Sequence, residues 1–431
     1  MTTRGYLYFA IMFALLMAVG FGQSWNVALG ILSMCLISAV MSLGVNIQWG
    51  YAGLFNVGIM GFAALGGLAA MLVSVDPVKE AWAEGGAGIG LSLLALLGTI
   101  AATIFVRRRC PEGLRLWATA GTVLVGLLII RYFYGPAVDR IEAVNPAHTG
   151  FLGGMGLPIV LSWAVGGVVA AGAAWFIGKI SLGLRADSLA IATLGISEII
   201  IAVLKYEEWL TRGVKNVTGL PRPVPYEIEL VESPWFLEWV ARFGAEPTDA
   251  ASVFVKICYC ILFLIVLAIV MWLSERALKS PWGRMMRAIR DNRDAAEAMG
   301  KDVTGRHLQV FILGCAVCGI AGAMLTTLDG QLTPSSYIPL RYTFLIWVMV
   351  IIGGSGNNWG SVLGGFIIWF LWIEAEPLGN WLMETITVFM DDDNALKQHL
   401  IASAAYMRLI MMGGLLLVVM RFAPRGLIPE R

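Results

Sequence analysis

Apolar residues fall along this chain in long unbroken runs rather than in the two- or 3.6-residue alternation of a half-buried element. Uncharged stretches of near-spanning length occur at 6–22, 27–45, 57–75, 89–106, 116–134, 157–178, 188–204, 253–273, 308–328, 343–352, 361–373 and 400–420. A helix crossing a bilayer takes about 20 apolar residues, so these runs predict an all-α polytopic membrane bundle of 10–12 spans. The segments 343–352 and 361–373 are too short to cross unaided. They are expected to be tilted, longer than their apolar core, or joined in a re-entrant element. The run 6–22 after Arg4 has the outline of a signal peptide and is expected to be retained as a first helix.

Composition agrees. Of 431 residues, 58% are hydrophobic and 14% charged, and mean hydropathy is +0.77. A single transmembrane domain over 1–431 is expected. With 30 Lys and Arg against 29 Asp and Glu there is no global basic field, which sets nucleic-acid binding aside. Six scattered cysteines indicate no disulfide framework. Cys315 and Cys318 have metal-pair spacing but lie in an apolar run with no second pair, and read as small hydrophobes.

Charge also orients the chain. With both termini cytoplasmic, 18 of the 30 Lys and Arg fall inside, 9 outside and 3 in spans, as the positive-inside rule requires. The two large polar segments then lie on opposite sides. Segment 205–251 is outside, with eight acids and five bases; segment 274–306 is inside, with eight bases and five acids. The outer segment contains Pro221, Pro223 and Pro225, which forbid regular helix. A short amphipathic helix follows, with Trp235, Trp239 and Phe243 at four-residue spacing. That stripe reads as an interfacial aromatic belt or as a docking surface.

The inner segment carries the most information. Ser280 and Pro281 are an N-cap and a first helical residue, and Gly300 is a stop. One helix from 281 to 299 is expected, with Met285, Ile289, Ala296 and Met299 near one face and Arg287 and Arg290 on a basic flank. It could lie on anionic lipid or insert into a groove on a partner and push on both adjoining spans.

Two Gly-rich blocks interrupt the hydrophobic pattern, one in each half: Gly50, Gly53 and Gly58 with Asn46 and Asn56, and Gly353, Gly354, Gly356 and Gly360 with Asn357 and Asn358. Gly356, Gly360 and Gly364 recur every four residues, as on a close-packed helix face. Alternatively the blocks are broken helices whose free amides and carbonyls line a substrate path. Glu198 is the one acid in the middle of a run. It is expected to point into the protein, held by a hydroxyl or amide of a neighbouring helix or meeting a substrate's α-amino group. No Gly-x-x-x-x-Gly-Lys-Ser/Thr loop and no His-Glu-x-x-His set occurs, and His148, His307 and His399 fall in or beside loops. No catalytic site and no metal site is expected, so energy for any transport must come from elsewhere.

At Asp294-Ala295-Ala296-x-x-x-Gly300 the chain resembles the Glu-Ala-Ala-x-x-x-Gly coupling motif of ABC importer permeases, with Asp in place of Glu. The resemblance extends to the permease family of branched-chain amino-acid ABC importers, on the side of its larger permease subunit. Blocks 43–58, 181–187, 193–200, 280–300 and 353–364 and the terminal Pro424-Arg425-Gly426-Leu427 carry it. The stretch 76–156, with two extra spans, has no counterpart and reads as an inserted helical pair.

The resemblance implies a bacterial inner-membrane permease that pairs with a related second permease. It would bind two cytoplasmic ATPase subunits, which hold the ATP and Mg, and receive its substrate from a periplasmic binding protein. The substrate would be a branched-chain or other hydrophobic amino acid, although urea-type and aromatic-acid systems are covered too. ATPase coupling then falls to Arg287, Arg290, Asp294, Ala295, Ala296, Glu297 and Gly300. The translocation path falls to Asn46, Gly50, Gly53, Asn56, Thr193, Glu198, Gly356, Asn357 and Asn358. Surrounding lipid completes the list of partners. An ion-coupled secondary transporter using Glu198 is the competing reading, and an intramembrane enzyme a third that lacks a catalytic set.

Overall fold

The computed structural model describes residues 3–145, 150–390 and 394–430. Almost all of it is helix. Long helices are α1 (Thr3–Gly22), α2 (Trp25–Val45), α3 (Ile59–Ser74), α4 (Ala87–Arg109), α5 (Glu112–Ala143), α6 (Ile159–Ser181) and α7 (Ala186–Tyr206). After the short α8 (Pro234–Ala241) and the long α9 (Pro247–Lys279) come two small helices, α10 (Pro281–Asp291) and α11 (Arg293–Ala298). The chain closes with α12 (Val303–Asp329), α13 (Pro339–Gly353), α14 (Asn358–Ile386), α15 (Ala395–Ala402) and α16 (Met407–Phe422).

Among the described residues ten helical stretches are long and apolar enough to cross a membrane, and α3 and α13 are shorter apolar helices. This is a multi-pass, all-α membrane bundle. The two short runs prove to be α13 and α14, each longer than its apolar core because Arg341 and Glu374 extend the helices past it. The last run is instead broken by a 3₁₀ turn at Ala404–Tyr406, between α15 and α16.

The centre of the bundle is α2, 72% of whose apolar window is buried. It packs against α9, α12, α13 and α14, while α3, α6 and α12 form a second tight group. Small residues permit this. A Cβ on Gly66 would strike the carbonyl oxygen of Gly319, and one on Gly319 that of Gly166, so three backbones meet where no side chain intervenes. By contrast α4 and α5 pack chiefly on each other, with only 11% and 6% of their windows buried. They join the remainder through a cluster in which Tyr134, Glu207 and Trp209 hydrogen-bond, and a Pro77–Gly153 bridge ties the two ends of the pair together.

Two ends of the bundle are distinct. At one lie a two-stranded ribbon, β1 (Val217–Thr218) with β2 (Gln331–Leu332), the irregular Pro221–Pro225 stretch and α8. In α8 it is Phe236 and Val240 that are buried, whereas Trp235, Trp239 and Phe243 face outward. The other end gathers the α2–α3 and α13–α14 connections, α10, α11 and the C-terminal tail. That is the end the charge pattern predicts to be cytoplasmic.

Candidate functional site

The two Gly-rich blocks, some 300 positions apart in sequence, meet at this second end. Past Val45 the chain passes through one π-helical turn, Asn46–Gly50, stays helical through Tyr51 and Ala52, and then runs without helix from Gly53 to Gly58 before α3. Gly53 there takes a left-handed φ of 67°, a conformation glycine adopts without penalty. The Asn46 side chain accepts from Gly356 N at 2.8 Å and donates to Asn358 Oδ1 at 3.1 Å. The Tyr51 hydroxyl also donates to Asn358 Oδ1, and Asn358 Nδ2 donates to Glu275 Oε1 at 3.1 Å. Deeper in, Asn56 Nδ2 donates to Gln48 Oε1 at 2.9 Å, and Gln48 Nε2 to the Phe311 carbonyl at 3.2 Å. Thr193 Oγ1 accepts from Val57 N at 3.1 Å, and Trp347 Nε1 donates to the Asn56 carbonyl at 3.1 Å.

These bonds correct the expectation of free amides and carbonyls along a path. Asn46, Asn56, Thr193 and Asn358 are at most 1% exposed and have partners within the chain. They form a polar knot that replaces the helical bonds lost where the segments break, as a non-helical backbone at membrane depth demands. The glycine reading divides as well. Gly360 and Gly364 form a close-packed face, where an added Cβ would meet backbone of Gly353 and Met349, whereas Gly356 sits in the α13–α14 turn at a φ of 79°. Asn357 caps α14 by accepting from Trp359 N at 3.0 Å, and only partly buried does it edge the surface.

Below the knot hangs the segment expected to be one helix. It is two. Ser280 caps α10 as predicted, accepting from Gly283 N at 3.4 Å, but the chain breaks at Asn292, where φ and ψ are −155° and 100°. The Asn292 side chain accepts from Ala295 N at 3.0 Å and starts α11, since a short amide competes with the helix for backbone donors. The apolar face shifts accordingly. Met286, Ile289 and Ala296 are buried, Met285 is half-buried, and Met299 stands 79% exposed. Asp294, Ala295, Glu297 and Gly300 all face outward, Gly300 at a φ of 75° with nothing around it.

Arg290 ties this segment to the knot. Its guanidinium donates to the Gly50 carbonyl and pairs with Glu430 at 2.8 Å, while Arg287 reaches the same carboxylate at 3.9 Å. Burial pulls the Arg290 pKa down, but the carboxylates of Glu430 and Asp291 outweigh it and raise it, so the side chain stays cationic. Glu430 is held in turn because the tail lies along the α13–α14 turn. Leu427 N and Ile428 N donate to the carbonyls of Ile352 and Gly353 at 2.9 Å, and Asn357 Nδ2 donates to that of Pro429 at 3.1 Å. Sequence reasoning missed Gln48, Glu275 and Glu430. Only Gln48, inside a block already singled out, carried a signal.

Glu198 is the second correction. In α7 the packed face is Thr193, Ser197, Ile201 and Leu204, set against α3 at Gly58 and Gly61. Glu198 lies on the other side with Gly195 and Ile199, exposed on a face this chain leaves uncovered. His307, expected at a loop, is buried in α12, and His148 lies outside the described residues.

With this geometry in place, the relatives are informative. The profile of the family described as "Branched-chain amino acid transport system / permease component" matches residues 27–420. The chain belongs to this family. High-affinity branched-chain amino acid transport system permease proteins LivM of Salmonella typhimurium and Escherichia coli K12 are similar at 26% and 25% identity over 310 residues, 71% of this chain. The match spans only 64% of the length of either relative. A probable branched-chain amino acid transport permease protein LivM of Methanocaldococcus jannaschii is 24% identical over 403 residues, covering 91% of this chain and 90% of its own. The permease LivH of E. coli K12 is 25% identical over 212 residues, about half of this chain. No solved structure matches. Membership of this family agrees with the resemblance read from the coupling motif and the glycine blocks.

Proposed function

We propose that the chain is one of two permease subunits of an ATP-driven importer in a bacterial inner membrane, with both termini cytoplasmic. Its cargo is a branched-chain or other hydrophobic amino acid delivered by a periplasmic binding protein. Two cytoplasmic ATPase subunits bind the ATP and Mg. The observation that carries this reading is the outward-facing turn Asp294 to Gly300, suspended on α10, whose Arg290 grips both the end of α2 and the tail on the α13–α14 turn. A partner seated on α11 could move both broken connections through that one guanidinium. Closure of the ATPases would drag the polar knot as a unit and turn the bundle between outward and inward openings, which is alternating access.

Glu198 supports the second subunit. A carboxylate in mid-span is costly against lipid, so the uncovered face of α7 calls for protein or a water-lined path. A related permease supplies both. Reconstitution with the partner subunits in proteoliposomes tests the whole reading. Leucine uptake should require ATP and the binding protein and survive collapse of ion gradients. Uptake that follows an ion gradient and ignores ATP would overturn it in favour of a secondary transporter.

A further inference from the structure

The tip of the α4–α5 pair concentrates positive charge that nothing in the chain neutralises. Arg107, Arg108 and Arg109 end α4, a two-residue turn of Cys110 and Pro111 follows, and Arg115 closes the first turn of α5. Glu112 is the one acid among them. Arg107, Arg108 and Arg109 are exposed and Arg115 is half-buried, and among the described residues none of the four side chains has a hydrogen bond or an ion pair. Arg109 stacks on Phe105 at 5.2 Å, and the Nε of Arg115 is buried without an acceptor. The helices α10 and α11 show the contrast. Each of their arginines has an acceptor within the chain: Arg284 the Lys279 carbonyl at 3.3 Å, Arg287 and Arg290 the Glu430 carboxylate, and Arg293 that of Glu297 at 3.1 Å.

The helices set the depth of this tip. The uncharged run 89–106 rises about 27 Å at 1.5 Å per residue, close to the ~30 Å of hydrocarbon in a bilayer. The four guanidiniums therefore lie just past the apolar layer, at the level of the phospholipid phosphates. Beside them the helix faces are bare: Ile104 and Phe105 on α4 and Leu114, Leu116 and Trp117 on α5 are exposed, the last two at 75%. A free anion would use the charge and leave those faces uncovered. An anionic lipid complements both.

We propose that the tip of the α4–α5 pair is a binding site for an anionic phospholipid, whose phosphate is held by Arg107, Arg108, Arg109 and Arg115 and whose acyl chains lie along the exposed faces below. The guanidinium fork matches phosphate oxygens two at a time, and clustered arginines at a helix end attract anionic headgroups in just this position. Phosphatidylcholine offers the same phosphate but adds a quaternary ammonium, which four guanidiniums repel, so the site selects by net charge. The inference requires that the pair crosses the bilayer and is independent of cargo and of ATP.

The test uses the full-length protein in lauryl maltoside micelles, titrated with phosphatidylglycerol or with phosphatidylcholine of identical acyl chains. In a variant that keeps Cys110 as its one cysteine, an environment-sensitive fluorophore on that thiol reports from the tip. Its half-maximal response should come at a phosphatidylglycerol concentration at least tenfold below that needed with phosphatidylcholine. Arg107→Gln, Arg108→Gln, Arg109→Gln and Arg115→Gln combined should abolish the preference. Arg4→Gln, Arg284→Gln, Arg306→Gln and Arg421→Gln combined remove as much charge elsewhere and should keep it within twofold. Monodisperse elution on gel filtration establishes that each variant is folded. If the tip variant fails that check, the comparison of the two lipids with the arginines intact, and with millimolar inorganic phosphate as competitor, still decides. Equal response to both lipids, full displacement by inorganic phosphate, or equal loss in the two charge-matched variants would overturn the site. Loss of the response once the second permease and the ATPases are added would also overturn it, by placing a protein on the tip.

Discussion

Arg290 and Glu430 occupy one small volume with the Gly50 carbonyl and Gly356, and each is about three-quarters buried. A charge-assisted bond of this kind contributes about 1.5–3 kcal/mol, enough to hold a tail but not to decide whether the bundle folds. Glu430→Gln keeps the shape and removes the charge. It should lower ATP-driven uptake several-fold while subunit assembly persists, and Arg290→Ala should do more because the Gly50 carbonyl also loses its donor. The double variant should be no worse than Arg290→Ala alone, since both act through one contact; fully additive losses would refute the link. Neither residue's partner was legible in the sequence. Glu430 is one of many acids, and nothing in a linear pattern places it beside residue 290. Glu198 was conspicuous for its span but not for its direction, because periodicity reports which face of a helix is apolar and not which face a second chain will cover. Glu198→Cys in the assembled complex should react with a water-soluble thiol reagent. Inertness would place that face against lipid or dry protein.

Helices were legible where apolar runs are long, and their ends were not. Arg341 at one end and Glu374 and Glu376 at another lie outside the uncharged windows, yet a helix does not stop where the hydrocarbon does, so α13 and α14 overrun their predicted cores. The break at Asn292 hid for the opposite reason, since the flanking Arg, Asp and Ala residues all suit a helix and a single cap side chain decides. Asn292→Ala removes that cap at a cost of about 1 kcal/mol and should raise hydrogen exchange in α11 without unfolding the bundle. The consequence for coupling tests is direct. Ala296 is buried in its own chain, so a bulky residue there disturbs this subunit first. Ala295 faces outward, and Ala295→Trp should leave the permease in the membrane but reduce co-purifying ATPase and uptake together. Normal co-purification and uptake would show that α11 is not the contact. In the glycine face, Gly364→Leu should instead abolish accumulation in the membrane, because its Cβ would collide with the Met349 carbonyl.

Taken as one molecule, the chain places its functional parts by sidedness. The broken connections, α10, α11 and the tail converge at one end, whereas the β ribbon, α8 and the Pro77–Gly153 bridge lie at the other. The α4–α5 pair follows the same rule although it packs mainly on itself: its tight tip at Cys110 carries Arg107, Arg108 and Arg109, and its opposite end is anchored beside Trp209. This makes sidedness testable at three independent places. In a background lacking the other cysteines, an impermeant thiol reagent applied to spheroplasts should label a cysteine at Lys215, near the ribbon. It should spare one at Met299, which is exposed at the end that holds α10 and α11, and it should spare the native Cys110 until the membrane is permeabilised. Labelling at Met299 in intact spheroplasts would invert the bundle and remove the coupling role of α11. Labelling at Cys110 alone would leave that role standing and show that the extra pair enters the membrane from the other side, a result that the anchor at Trp209 and the three arginines at the tip both oppose.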